Sequence, residues 1–249
     1  MKTCLAALAA CILLKAQVVH AAEIRMLAAG AVKEAFLELI PQFESASGNK
    51  VAATWTGSAD IRKRIGAGEA FDLVIVSAPD VEAFVKDGKI VPGSRVDIAR
   101  SGVGVAVKAG SPRPDISSSE AIKKALLSAS AVAYSTGPSG VYIQRLFDRL
   151  GIADQMKEKS KQTAPGMRVA QHLASGEAEL GFQQVSELVH EVGIDFLGPL
   201  PAEIQNVTVY SSGIPTGTNA EVAKAMQAFL SAPAAAPVFR KNGMDPIHP

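Results

Sequence analysis

Apolar positions along the chain switch between two periods, and the switches come at regular intervals. Residues 24–28 read as a short buried strand, after which Val32, Ala35, Phe36, Leu39, Ile40 and Phe43 recur at helical spacing. Lys33, Glu34, Glu38 and Glu44 fall mostly off that stripe. Residues 51–55 predict a second strand and about 60–67 a helix. Leu73-Val74-Ile75-Val76 is the continuous apolar run of a strand buried on both faces, followed by a short helix over 80–87 that Gly88 stops. The pattern then repeats: a strand at 103–107, a Pro/Ser-rich loop at 110–119 opening a helix at Glu120, a strand at 131–134 and a helix over 139–150. A helix over about 167–174 precedes strand 180–182, and strand 207–210 precedes helices over 219–230 and 234–242. Strands alternating with helices predict parallel sheets in an α/β fold.

The strand exits share a character. Leu27 leads to Ala29-Gly30, Trp55 to Thr56-Gly57-Ser58, Val76 to Ser77-Ala78-Pro79-Asp80, and Tyr134 to Ser135-Thr136-Gly137-Pro138-Ser139-Gly140. In open parallel sheets ligands sit at the carboxyl ends of strands, where helix N-termini offer unpaired N–H groups and a partial positive charge. Ser and Thr there also serve as ordinary N-caps. Four exits without bulky side chains point towards a small anionic ligand.

Composition narrows the class. The chain has 249 residues, 48% hydrophobic, with 25 Lys and Arg against 24 Asp and Glu, so no basic excess exists for nucleic acid. Met1-Lys2, an apolar run to Leu14 and the small residues around Ala21 read as a secretory signal over residues 1–22, cleaved after Ala21 or Ala22. Lys15 ends the apolar run too early for a membrane anchor, and Leu8-Ala9-Ala10-Cys11 is a poor lipoprotein signal because more apolar sequence follows it. Cys4 and Cys11 both lie in that segment, so the mature protein carries no disulfide or cysteine ligand. Lys2 and Lys15 leave with it, turning the formal charge from +1 to −1. The expectation is an exported, soluble, periplasmic protein.

Familiar catalytic signatures are missing. Gly102-Val103-Gly104 precedes a strand and is no dinucleotide fingerprint, and no Walker loop, Gly-x-Ser-x-Gly elbow or His-Glu-x-x-His pair occurs. Glu187 and His190 are three residues apart, a spacing that suits a surface contact better than a metal site. No metal and no cofactor are expected. Arg168, after Pro165-Gly166-Met167 at a predicted helix start, is placed either to clamp a carboxylate or to make an ion pair. Lys33 lies in a first helical turn, unfavourable unless an anion is near. Gln183-Gln184 at a strand exit suits ligand hydrogen bonding, and Trp55, Tyr134 and Tyr142 read as core.

These residues resemble a known family. Ala28-Ala29-Gly30-Ala31-Val32-Lys33-Glu34-Ala35-Phe36, the Gly57-Ser58 exit, the segment from Ala70 to Ser77, Pro138-Ser139-Gly140-Val141-Tyr142 and the ending from Ala228 to Met244 are similar, in order, to periplasmic molybdate-binding proteins. The resemblance implies a type II periplasmic-binding fold: two α/β lobes joined by crossover strands near 103–108 and 207–211. Lobe 1 would comprise residues 23–104 and 208–249, and lobe 2 residues 105–207. It also implies ligand positions at Ala31, Ser58, Ser139, Met167 and Gln184, with Arg168 adjoining. Ala31 replaces the family's serine and Gln184 its tyrosine. A hydrogen bond to a charged group contributes about 1.5–3 kcal/mol, so the missing Ala31 hydroxyl alone weakens oxyanion binding about ten- to a hundredfold.

The resemblance implies a monomeric, non-enzymatic protein that captures a molybdate-like oxyanion or an organic carboxylate for an ABC-type permease. An alternative on the same scaffold is a periplasmic isomerase of di- or tricarboxylates, similar to aconitate isomerase. It would need a general base, for which Lys33, Lys63 and His172 are the candidates, with Arg168 holding a carboxylate. A third use of the same cleft is a sensor whose closed form is read by a membrane receptor.

Overall fold

The computed structural model describes residues 22–164, 166–218 and 220–248, so the expected export signal lies outside the described residues except for Ala22. Strand β1 (Glu23–Ala29) runs through a short 3-10 turn (Gly30–Val32) into helix α1 (Lys33–Ser47). There follow β2 (Lys50–Thr56), α2 (Ser58–Gly66), β3 (Leu73–Ser77), α3 (Ala78–Lys86) and the long β4 (Val96–Lys108). Next come α4 (Ser119–Ser128), β5 (Val132–Tyr134), α5 (Pro138–Arg149), α6 (Ala153–Met156), β6 (Ser160–Gln162) and α7 (Val169–Ser175). The chain continues with β7 (Leu180–Gln184), α8 (Val185–Leu188), β8 (Ile194–Pro199), β9 (Val207–Gly213), α9 (Ala220–Leu230), α10 (Ala236–Lys241) and β10 (Asp245–Pro246).

The strand order is β2-β1-β3-β9-β4-β7-β5-β6. β1 pairs in parallel with β2 and β3, and β5 with β6 and β7, as the strand–helix alternation predicts. Between these two parallel groups run β9 and β4, antiparallel to each other and to their neighbours. β4 pairs with β9 from Val96 to Gly102, then with β7 and β8 from Val103 onward, and so passes from one sheet to the other. The sequence pattern finds only its second half, because the first half (Val96-Asp97-Ile98-Ala99-Arg100-Ser101) mixes charge with apolar residues. β9 likewise runs on through Ser211 and Ser212, which are fully buried since their hydroxyls donate to Asp97 Oδ1 (2.6 Å) and Val96 O (3.2 Å).

The apolar cores separate along the same line. One gathers residues from 24–99 and 210–244, with Phe36 edge-on to Trp55 and Phe239. The other two draw on residues 103–204. The molecule is thus a two-lobed α/β protein whose lobes share the β4–β9 crossover. Glycine allows close layering in the second lobe: a Cβ on Gly181 would lie 2.6 Å from Val169 Cγ1, so α7 rests directly on β7. Two expected helices are altered. The one expected from Met167 starts at Val169, because Arg168 is extended (ψ 141°), and the final one breaks into a 3-10 turn at Pro233–Ala235 before α10.

Candidate functional site

Between the lobes lies a cleft of about 140 Å³. Its wall is built from the carboxyl ends of strands and the starts of helices: Ala29 to Ala31 before α1, Thr56 to Ser58 at α2, Ser135 to Pro138 at α5, and Gly166 to Arg168 before α7. No side chain caps the 3-10 turn, α2, α5 or α7 at its N-cap residue. The serine-capped starts are elsewhere, at α3 (Ser77) and α4 (Ser118), off the cleft wall. Simple N-capping therefore accounts for the Ser77 exit and not for the other three. At α7 the Gln183 side chain takes the Val169 N–H, so the starts at Gly30, Ser58 and Pro138 are the ones that lack side-chain caps and converge on one small space, forming a basin of positive potential for an anion.

The expected residues distribute unevenly. Ala31, Ser58 and Met167 line the cleft, Ala31 and Ser58 being buried and Met167 exposed at 40%. Ser139 is buried one residue inside α5, its hydroxyl 3.0 Å from that of Ser135, which stands on the wall in its place. Gln184 is buried behind the wall. With its N–H₂ on the Ser101 and Gly102 carbonyls (2.9 and 3.1 Å) and its oxygen accepting from Thr208 Oγ1 (3.0 Å), every polar atom is satisfied, and the amide joins β7 to both crossover strands. Alternation along β7 turns Gln183 to the cleft instead, and its Oε1 accepts from Val169 N–H at 2.9 Å. Of the candidate bases, Lys33 stands on the wall. Lys63 is exposed on α2, and His172 on α7 has its Nδ1 2.6 Å from Glu177; neither lines the cleft.

Arg168 reaches the cleft but its guanidinium is engaged. Nη2 donates to Glu34 Oε1 at 2.9 Å and Nη1 to Glu191. Glu34 belongs to the first lobe and Glu191 to the second, so the fork ties α1 to the segment after α8. Among the salt bridges of the described residues, Arg168–Glu34 is the one that joins the two lobes.

Two cleft residues escape the sequence pattern. Glu187 sits on the single turn α8, partly exposed through the cleft but with protein packed closely around its carboxyl. Desolvation pushes its pKa up to about 7, against the opposing pull of Arg168 and of hydrogen bonds from the Gln183 side chain and the Gln184 backbone. A Cβ on Gly30 would lie 3.2 Å from Glu187 Oε1, so the bare glycine admits the carboxyl to the opposite wall. Tyr210, on β9, is 1% exposed, and burial, with Glu187 and Asp80 nearby, raises its phenol well above the ordinary value. It remains a donor. In the sequence, Glu187 stands out only by its spacing from His190, and it is Glu38 that feels the charge of His190. Trp55, read as core, packs on Phe36 and also lines the cleft. Among the described residues no cluster of three or more His, Cys, Asp or Glu could hold a metal ion.

A two-lobed α/β chain with a cleft of uncapped helix starts has the build of a small-anion binding protein. Its sequence belongs to the bacterial extracellular solute-binding protein family, which it matches over residues 24–245. Aconitate isomerase of a Pseudomonas species is 35% identical over 229 residues, covering 89% of this chain and 87% of that protein. Molybdate-binding protein ModA of Escherichia coli K12 is 25% identical over 229 residues, covering 89% and 88%. Among solved structures, the periplasmic molybdate-binding protein of Azotobacter vinelandii superposes with a TM-score of 0.73 at 20% identity, covering 89% of this chain and 98% of that one. The sulfate-binding protein SubI of Mycobacterium tuberculosis gives 0.74 at 19% identity, covering 92% and 88%. The fold is that of the periplasmic binding proteins. No helix of the described residues is long and apolar enough to cross a membrane.

Proposed function

We propose that this protein is an exported isomerase that moves a proton within an unsaturated polycarboxylate, with aconitate as the substrate to test first. The observation that carries the reading is Glu187, a carboxyl in the anion cleft with a pKa of about 7. A pocket for an obligate dianion such as molybdate needs only neutral donors, and an ionisable carboxyl on its wall opposes the ligand. A general base, by contrast, works best with a pKa near the operating pH. The 35% identity to an aconitate isomerase supports the same choice.

The chemistry follows from the parts. The Glu187 carboxylate takes a proton from the methylene carbon of the substrate. The C–H electron pair enters a new C=C bond, and the pair of the old C=C bond forms a C–H bond at the far carbon, to which Glu187 returns the proton. The double bond moves by one carbon, which for aconitate interconverts the cis and trans isomers, and no oxidant or reductant is required. Uncapped helix starts, Ser58 and the Tyr210 hydroxyl stabilise the negative charge that spreads onto the substrate carboxylates meanwhile. Closure of the lobes excludes water from the site.

A second reading is capture of a small anion for an ABC-type importer, and the converging helix starts together with the molybdate-binding relatives favour it. Residues 1–22 would act as the export signal in either case. The test is direct. Mature protein is given cis- or trans-aconitate and the mixture followed by proton NMR, with molybdate and aconitate compared in a thermal-shift panel. Interconversion supports the isomerase. Stabilisation by molybdate alone, with aconitate left unchanged, selects the oxyanion carrier.

A further inference from the structure

The two cations of the cleft wall, Lys33 and Arg168, stand in different electrostatic situations. Arg168 already meets two carboxylates, Glu34 and Glu191. No salt bridge among the described residues involves Lys33. It is the first residue of α1, partly buried, and the positive end of the helix backbone is the wrong end for an ammonium. Its neighbour Glu34 is turned to Arg168, and Arg168 is the cation that pulls on the Glu187 carboxyl. A half-buried ammonium beside uncapped N–H groups, with no salt-bridge partner among the described residues, is an unfavourable arrangement that a ligand anion corrects.

We propose that Lys33 determines the specificity of the cleft by taking one carboxylate of a polycarboxylate ligand while the helix starts hold another. The assignment rests on the polycarboxylate reading above. It gives Lys33 the carboxylate-holding part for which Arg168 is the more obvious residue, and it leaves Arg168 as the strut between lobes. Oxyanion recognition by neutral donors has no use for such an ammonium, whereas a ligand with several carboxylates needs a charge away from Glu187.

The probe is tricarballylate (propane-1,2,3-tricarboxylate), a saturated tricarboxylate with no double bond to move, so that binding is read apart from turnover. Calorimetric titration compares wild type, Lys33→Gln and Lys33→Arg at two salt concentrations. Lys33→Gln is expected to weaken tricarballylate binding about 10- to 100-fold and to flatten its salt dependence, while Lys33→Arg restores most of the loss. The unliganded Lys33→Gln protein should melt no lower than wild type, which separates lost binding from lost folding. Tricarballylate binding by Lys33→Gln within threefold of wild type overturns the assignment, as does a wild type that binds no tricarballylate. Lys33-dependent binding in a protein that leaves aconitate unchanged keeps the assignment and removes the isomerase.

Discussion

At the scale of single residues, Glu187 sets the behaviour to be measured. As a base it acts when deprotonated, so kcat/KM for aconitate should rise with pH through about 7 and level off above it. Glu187→Gln should lower the rate by about 10²- to 10⁴-fold while aconitate still binds. A flat pH profile between 6 and 8 would speak against this base. The same group leaves a mark on stability. Its folded pKa lies above the ordinary 4.5, so the folded state holds the proton more tightly, and stability falls as pH rises from about 4.5 to 7. The fall is a few kcal/mol at most, and Glu187→Gln should abolish it, as chemical denaturation at pH 5 and pH 8 will show. Little of this was legible in the sequence. Ala31, Ser58 and Met167, which line the cleft, are positions that the family resemblance implies and the residue pattern alone does not. Glu187 could not be placed, because an acidic residue on an isolated turn looks like any solvated carboxylate until tertiary packing desolvates it. Gln184 and Gln183 exchange expected roles for a related reason: which of two adjacent residues faces the cleft depends on strand pairing, here Gln184 against Val103.

At the scale of elements, the parallel strands other than β6 follow from the pattern, since buried runs such as Leu73-Val74-Ile75-Val76 are too short for a helix. β6 escapes the sequence pattern because Ser160–Gln162 carries no apolar residue, and it is a strand only through its parallel pairing with β5. The site depends on how closely helix starts sit on strand ends, and Gly140 shows how little room remains. A Cβ there would meet the Ser135 carbonyl oxygen at 1.6 Å, a backbone atom that cannot swing aside. Gly140→Ala is therefore expected to cost about 3 kcal/mol or more, a loss of about 6–12 °C in Tm for a chain of this size, and to weaken anion binding with it. A variant that melts like wild type would show that the start of α5 is looser than this packing implies.

At the scale of the whole molecule, the lobes share β4 and β9 and are tied across the cleft by Arg168–Glu34. Both partners are about a quarter exposed, so the pair is worth no more than about 1 kcal/mol, enough to bias the balance of closed and open forms about fivefold. Glu34→Gln should raise the radius of gyration of the unliganded protein in small-angle scattering and leave that of the liganded protein unchanged. Identical scattering in both states would mean that the strut does not govern closure. The central claim, that this binding-protein cleft performs a proton shift, is most directly tested by incubating trans-aconitate with wild type and with Glu187→Gln in D₂O and following the products by NMR. The account predicts cis-aconitate with wild type, the transferred proton kept on carbon because the closed cleft excludes D₂O, and isomer formed at least about 100-fold more slowly with the variant. Saturable aconitate binding without any isomer in the wild-type sample would contradict it and leave a carrier of carboxylates.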